Sequence, residues 1–347
     1  MVSRKRFGVN GWQDNWTMIE NIGYGGIHLA PPGMIPSVGM EDYPCNLVEF
    51  DERFASEEAC IAYLMSLRWP KGFACPKCGG SQAWRRARLA MVCVRCRHET
   101  SITAGTLFEK THKPLRLWFK AMWLATSQKT GASALGLQRV LGFGSYETAW
   151  LWLHKLRPAM VRPGRDRLQG CVEVDETYVG GPEEGSRGRQ TEEKSIVVVA
   201  AEEDGDRIGR IRLGRVSDVS AASLFGFIQQ AIVEGSVIHT DGWPGYYGLE
   251  EKGYAHKVSN IKQSSGRAHE LMPRVHRVSS LMKRWLLGTH QGSVSPKHLD
   301  YYLDEFTFRF NRRRSKHRGK LFFRLMEQAA TSGPTTYGDV VGRPDPT

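Results

Sequence analysis

Four cysteines stand in two pairs, Cys75-Pro-Lys-Cys78 and Cys93-Val-Arg-Cys96, with fourteen residues between the pairs. Each Cys-x2-Cys turn presents two thiolates to one side of a metal, so two such turns complete the tetrahedral shell that Zn2+ prefers. With four protein ligands no coordination position stays open. The expected ion at Cys75, Cys78, Cys93 and Cys96 is therefore a structural zinc. A redox Cys-x-x-Cys pair would stand singly near a βαβ pattern. Cys45, Cys60 and Cys171 are expected in the core.

Two aspartates are the next candidates for chemistry. Asp175 lies in Val172-Glu-Val-Asp-Glu-Thr-Tyr-Val179, where strand alternation turns Val172 and Val174 to one face and Glu173 and Asp175 to the other. A carboxylate at sheet level requires a metal or another cationic partner. Asp241 follows a short apolar run in His239-Thr-Asp-Gly-Trp, at a strand end where open α/β sheets hold ligands. Taken singly, each also fits a turn or capping aspartate.

The elements that position these residues follow from periodicity and punctuation. Residues 1–39 hold no periodic segment and read as a disordered or non-native leader. Residues 40–70 form an N-terminal helical segment, with one helix expected from Asn46 to Leu67, and residues 71–104 form the zinc ribbon. The region 105–163 contains a buried helix after Pro114, then two short helices, 133–140 and 145–156, joined through Leu141-Gly-Phe-Gly144. That pair is a helix-turn-helix candidate. Pro158 and Pro163-Gly164 mark a boundary, beyond which 171–179, 195–201 and 207–213 read as strands, 220–233 as an amphipathic helix and 236–240 as a fourth strand. The fold class is α/β, a mixed sheet flanked by helices over 168–325, with a flexible tail over 326–347.

Charge narrows the partner. The 347 residues carry 48 basic and 36 acidic side chains, a formal +12. Seven Lys/Arg and no carboxylate fall between Lys71 and Arg97, eight against Glu147 alone between Lys113 and Arg162, and thirteen against three between Arg274 and Arg324. Three basic segments interleaved with aromatics point to a nucleic acid. At 41% apolar and 24% charged the composition is that of a globular protein. The longest core-like run, Ile196 to Ala201, falls far short of the roughly 18 apolar residues of a membrane span, so no membrane partner is expected. With too few cysteines for a disulfide scaffold and no apolar segment of the secretory type near the N-terminus, a cytoplasmic, nucleoid-associated protein is expected.

From Cys75 to about Arg324 the chain resembles insertion-sequence transposases that join an N-terminal zinc ribbon to an RNase H-like DDE domain. The resemblance rests on the two Cys pairs, Val174-Asp-Glu-Thr-Tyr-Val-Gly-Gly181, His239-Thr-Asp-Gly-Trp-Pro-Gly-Tyr246, Lys283-Arg-Trp-Leu-Leu-Gly-Thr-His290 and Tyr302-Leu-Asp-Glu-Phe-Thr-Phe-Arg-Phe-Asn-Arg312. It implies that Asp175 and Asp241 are the first two acidic ligands of catalytic Mg2+ or Mn2+. The third residue varies among Glu, Asn and His in this family, and its place seven residues before Lys283 falls on His276, with Glu270 the competing carboxylate. Lys283, two helical turns from His276, can reach a phosphate near the metals. Arg139, Lys155, Arg284, Arg312, Arg313 and Arg314 are expected to contact DNA. The implied activity is binding of terminal inverted repeats followed by metal-dependent strand cleavage and transfer into target DNA, by a homo-oligomer. The competing reading is a catalytically decayed zinc-ribbon DNA-binding regulator.

Overall fold

A computed structural model describes residues 42–87, 89–181, 194–259, 268–292 and 294–342. The expected leader over 1–39 lies outside them. The chain divides into two compact units, one containing Trp69–Ile102 and the other built from Glu41–Arg68 together with Thr103–Thr347. No helix among the described residues is long and apolar enough to cross a membrane.

The smaller unit is a three-stranded antiparallel sheet of β1 (Ala83–Ala87), β2 (Ala90–Cys93) and β3 (Glu99–Ser101), in that order. Its strands are three to five residues long. Met91, Val92, Cys93 and Ile102 are buried, a core too small to hold a fold unaided.

In the larger unit the helices come first. The expected single N-terminal helix is two, α1 (Leu47–Arg53) and α2 (Glu57–Arg68). The break falls where Phe54 leaves helical geometry with its ring buried, and Ser56 restarts the chain by accepting the Ala59 amide at 3.2 Å. Helix α3 (Leu115–Ser127) buries eight of its residues, as its apolar circumference foretold. Pro114 sits just ahead of the first turn rather than in it. The free amides of Leu115 and Arg116 instead donate to the Glu57 carboxylate of α2, at 2.8 and 3.0 Å. Next come α4 (Ala134–Leu141) and α5 (Tyr146–Leu156), capped by Ser133 and Ser145, with Gly142 closing α4 in the left-handed region.

The sheet runs β6-β5-β4-β7-β8, where β4 is Cys171–Val179, β5 Ser195–Asp204, β6 Arg207–Val216, β7 Val237–Thr240 and β8 Ala255–Val258. β4, β5 and β6 are antiparallel neighbours, whereas β7 and β8 extend the other side of β4 in parallel. Alternation along β4 and β5 sorts the two faces. Val172, Val174, Val198 and Ala200 pack under α6 (Ala221–Ala231), while Val197, Val199 and Ala201 pack under α8 (Pro273–His290) and α9 (Leu299–Asn311). The sequence reading omitted β8, a four-residue strand exposed over most of its length, because it carries no apolar alternation.

The C-terminal region departs most from expectation. In place of a flexible tail from residue 326, helix α10 (Gly319–Thr331) continues through buried Met326, Ala329 and Ala330, and α11 (Tyr337–Val341) buries Val340. Phe322 of α10 lies 5.4–6.4 Å, ring to ring, from Phe50, Phe54, Tyr63, Phe119 and Trp123. This aromatic cluster joins segments that the sequence reading had set in three domains, because the returning helix supplies the apolar face that α2 and α3 need. Cys45 is exposed and Cys171 half-buried, so only Cys60 of the three leftover cysteines is a core residue.

Candidate metal centres and carboxylate site

The four cysteine sulfurs all lie within 4.8 Å of one another. Cys75 Sγ is 3.6 Å from Cys96 Sγ, and Cys78 Sγ is 3.7 Å from Cys93 Sγ. A tetrahedron with Zn–S bonds of about 2.3 Å has edges of about 3.8 Å, so the donor set fits the ion. Both knuckles use one turn: Gly79 N–H donates to Cys75 O at 2.9 Å and Arg97 N–H to Cys93 O at 3.0 Å. Each of these donors is left-handed, with φ of 71° at Gly79 and 59° at Arg97. Glycine adopts that conformation freely, while Arg97 does so against a steric penalty of about 1 kcal/mol. Its guanidinium lies 4.9 Å from the Trp84 ring centroid. Amides of Cys96 and Arg95 pull the Cys93 thiol down to about 7, while burial and the neighbouring thiols push Cys96 up to about 12.

In the larger unit, parallel pairing sets Glu173 of β4 beside His239 of β7. Asp241 follows Thr240, the last residue of β7, and both it and Asp175 act electrostatically on the Tyr246 phenol. Asp175 opposes Val199 across β5, on the sheet face covered by α8. On α8, His276 faces it, Nδ1 standing 3.9 Å from Asp175 Oδ2. Lys283 follows two turns later; partial burial and Lys194 lower its pKa, while Asp175 opposes that shift.

The loop after β7 is fixed tightly. Asp241 Oδ1 accepts the Trp243 amide at 3.0 Å, and Trp243 Nε1 donates to Val219 O at 3.0 Å. Gly242 has φ of 82°, and a Cβ there would come within 2.8 Å of Val258 Cγ1, so the residue after Asp241 has to be glycine. Tyr246, fully buried, donates its hydroxyl to Glu176 Oε2 at 3.1 Å. Burial first, then Glu176, Asp175 and Asp241, hold that phenol well above its usual range, so it stays a donor.

Asp175, Asp241 and His276 do not form a single-ion cage: among the described residues, the sets with all ligand atoms within 4.8 Å are the four cysteines and Glu173, Glu203 and His239. The Glu173, Glu203 and His239 set already holds a cation, because Arg274 Nη1 donates to Glu173 Oε1 at 2.8 Å and to Glu203 Oε1 at 3.2 Å. Glu270, on the short helix α7 (Ala268–Leu271), is exposed.

The arginines expected at DNA have diverse surroundings. Arg139 on α4 and Arg284 on α8 are exposed, and Lys155 at the end of α5 is half-buried. Arg312 lies over the Phe308 ring at 4.0 Å and donates to Phe308 O. Arg313 donates to the carbonyls of Ile208 and Gly209, and Arg314 pairs with Asp204 at 2.6 Å. Arg313 and Arg314 tie the end of α9 to the β5–β6 turn, whereas Arg312 is held on α9 itself. A groove of about 1080 Å³ runs between the start of α4 and the faces of α8 and α9, lined by Lys129, Arg284, Arg309, Arg313 and Arg318 with no carboxylate. Sequence reasoning gave no role to Glu173 or Arg274: the only signal for Glu173 was a charged residue at a strand position that alternation makes inward-facing, and Arg274, in the first turn of α8, carried none.

The molecule thus combines a four-cysteine metal knuckle with an α/β unit that gathers carboxylates and an imidazole near one strand end. Residues 167–311 match the family described as ISXO2-like transposase domain, and residues 55–99 match the transposase zinc-ribbon domain. A protein of Halobacterium salinarum described as an uncharacterized protein in transposable element ISH50 is 28% identical over 279 residues, covering 74% of this chain and 91% of that protein. Both matching family models describe transposase domains, and the relative comes from a transposable element.

Proposed function

We propose that this protein is the DNA transposase of an insertion sequence, binding terminal inverted repeats and carrying out strand cleavage and strand transfer through an RNase H-like centre of Asp175, Asp241 and His276. The observation that carries the reading is His276 Nδ1 standing 3.9 Å from Asp175 Oδ2, with Asp241 following the end of β7, the parallel neighbour of β4. The strand order β6-β5-β4-β7-β8, with two parallel strands added beside the first strand of an antiparallel meander, supports the RNase H-like assignment.

Asp175, Asp241 and His276 would hold a pair of Mg2+ or Mn2+ ions. Bound there, divalent ions activate the attacking oxygen and stabilise the leaving oxygen of an in-line displacement at phosphorus. An imidazole in place of a carboxylate suits Mn2+ better than Mg2+. Lys283 neutralises a phosphate oxygen of the strand held at this edge. The ribbon and the α4–α5 pair, acting as a helix-turn-helix, hold the terminal repeat, and the basic groove beside α8 carries the DNA backbone. Pairing two element ends calls for a homo-oligomer, working in the cytoplasm at the nucleoid.

Joining of a labelled element end to a target plasmid tests this. Asp175→Ala and Asp241→Ala should each reduce joining by at least about 10³-fold, the scale expected when an electrostatic contribution of several kcal/mol is lost, while end binding by gel shift is unchanged. Unchanged joining in either variant would reject the site. Binding of the terminal repeat without any measurable joining in the wild type would favour the regulator.

A further inference from the structure

Helix α8 begins without a cap of its own. Met272, at the N-cap position, has no side-chain hydrogen bond to the first turn and is buried in the core, and Pro273 has no N–H. The two amides that an N-cap side chain would satisfy are those of Arg274 and Val275. Both donate to one oxygen of Glu173, Oε2, at 2.7 and 3.0 Å. Its other oxygen accepts from Arg274 Nη1 at 2.8 Å. The same guanidinium reaches Glu203 at 3.2 Å and the carbonyls of Gly205 and Arg207 at 2.7 and 3.3 Å.

Glu173 is fully buried, two residues before Asp175 on the same strand and the same face. The amides it holds immediately precede His276. One carboxylate therefore fixes both sides of the Asp175–His276 pair, the strand through its own backbone and the helix through its first-turn amides, in the place where a helix N-terminus most favours negative charge. We propose that Glu173 is the positioning residue of this centre, setting the distance at which His276 and Asp175 share a divalent cation. The set of Glu173, Glu203 and His239 accordingly serves as an anchoring network filled by Arg274 rather than as a further metal site. This inference rests on the reading of Asp175, Asp241 and His276 as ligands.

Mn2+ binding to the full-length, zinc-loaded protein, followed by electron paramagnetic resonance, tests it with Glu173→Gln, which keeps the side chain's shape but removes its charge. Residues supporting a ligand typically contribute 10–100-fold to metal affinity, so E173Q should weaken Mn2+ binding at least about 10-fold. His276→Ala should do the same, and E173Q/H276A should bind no more weakly than H276A alone, because Glu173 acts through His276. Wild-type affinity in E173Q, or additive losses in the double variant, would overturn the proposal. Should E173Q fail to fold, Glu203→Gln carries the test: it loosens the Arg274 bridge while leaving Glu173 in place, and its smaller weakening should vanish in the H276A background. Persistence of that weakening, or wild-type affinity in E203Q, would then count against the proposal. Full Mn2+ binding in Asp175→Ala would instead remove the underlying site reading.

Discussion

The zinc ribbon and the sheet unit solve the same problem, holding donors close together, by opposite means. In the ribbon the donors themselves are the core: four sulfurs stand within 4.8 Å, and beyond Cys75 and Cys93 the buried apolar residues are Met91, Val92 and Ile102. In the larger unit two extended apolar clusters build the sheet first, and the carboxylates ride on strands that would stand without them. A metal at the four cysteines is thus a condition of folding in the ribbon, while the larger unit rests on its own apolar core.

Removal of zinc separates the two most strongly. Cys93→Ser, or a strong chelator, should melt 69–102 and forfeit apparent metal-binding free energy of about 10 kcal/mol or more, while 171–258 keep their amide protection. Hydrogen exchange resolved by segment checks this; cooperative loss in both regions would erase the distinction.

Breaking the buried ion pair should act the other way round. Arg157 and Glu305 each have 1% of the side chain exposed and meet at 2.9 Å. Glu305→Ala leaves a buried guanidinium without its counter-charge, so denaturant unfolding of the larger unit should lose about 3–5 kcal/mol while the ribbon's metal affinity is unchanged. Phe322→Ala, which hollows the aromatic cluster, should cost about 3–5 kcal/mol in the same experiment.

A smaller, pH-dependent effect belongs only to the larger unit. His154 is fully buried, with both ring nitrogens unpartnered. Burial, then Arg157, His298 and His290, depress its pKa far below the usual 6.5, and burial pushes His290 down to about 4. The folded state keeps these rings neutral while the unfolded chain takes up protons below about pH 6.5, so their contribution is full above that pH and declines as pH falls. His154→Leu should flatten this decline by up to about 1.4 kcal/mol per pH unit between pH 6.5 and 5, measured by urea unfolding. At the small end, Arg97→Gly should relieve the ribbon's left-handed turn by no more than about 1 kcal/mol, read as slower zinc loss.

Legibility followed the same division. The ribbon could be read because its chemistry is local: four residues in two short turns specify the ion and its geometry. The alternation of β4 and the starts of the two short helices near 133 and 145 were legible for the same reason. What the sequence concealed was long-range pairing. His276 has no local mark as a ligand and entered only through resemblance. Glu173 looked like one more strand charge until α8 folded onto it, 101 residues later in the chain. Helix α10 passed for part of a tail because the partners for its apolar face, α2 and α3, lie more than 190 residues earlier by the numbering of Phe119 and Phe322.

The central claim is that Asp175, Asp241 and His276 share divalent cations, and pulsed electron paramagnetic resonance of Mn2+ bound to the zinc-loaded protein tests it most directly. The account expects nitrogen modulation from a coordinated imidazole in the wild type, its loss in His276→Ala, and loss of bound Mn2+ in Asp175→Ala. Mn2+ that binds without a nitrogen signal, or that binds equally well without Asp175, would contradict it.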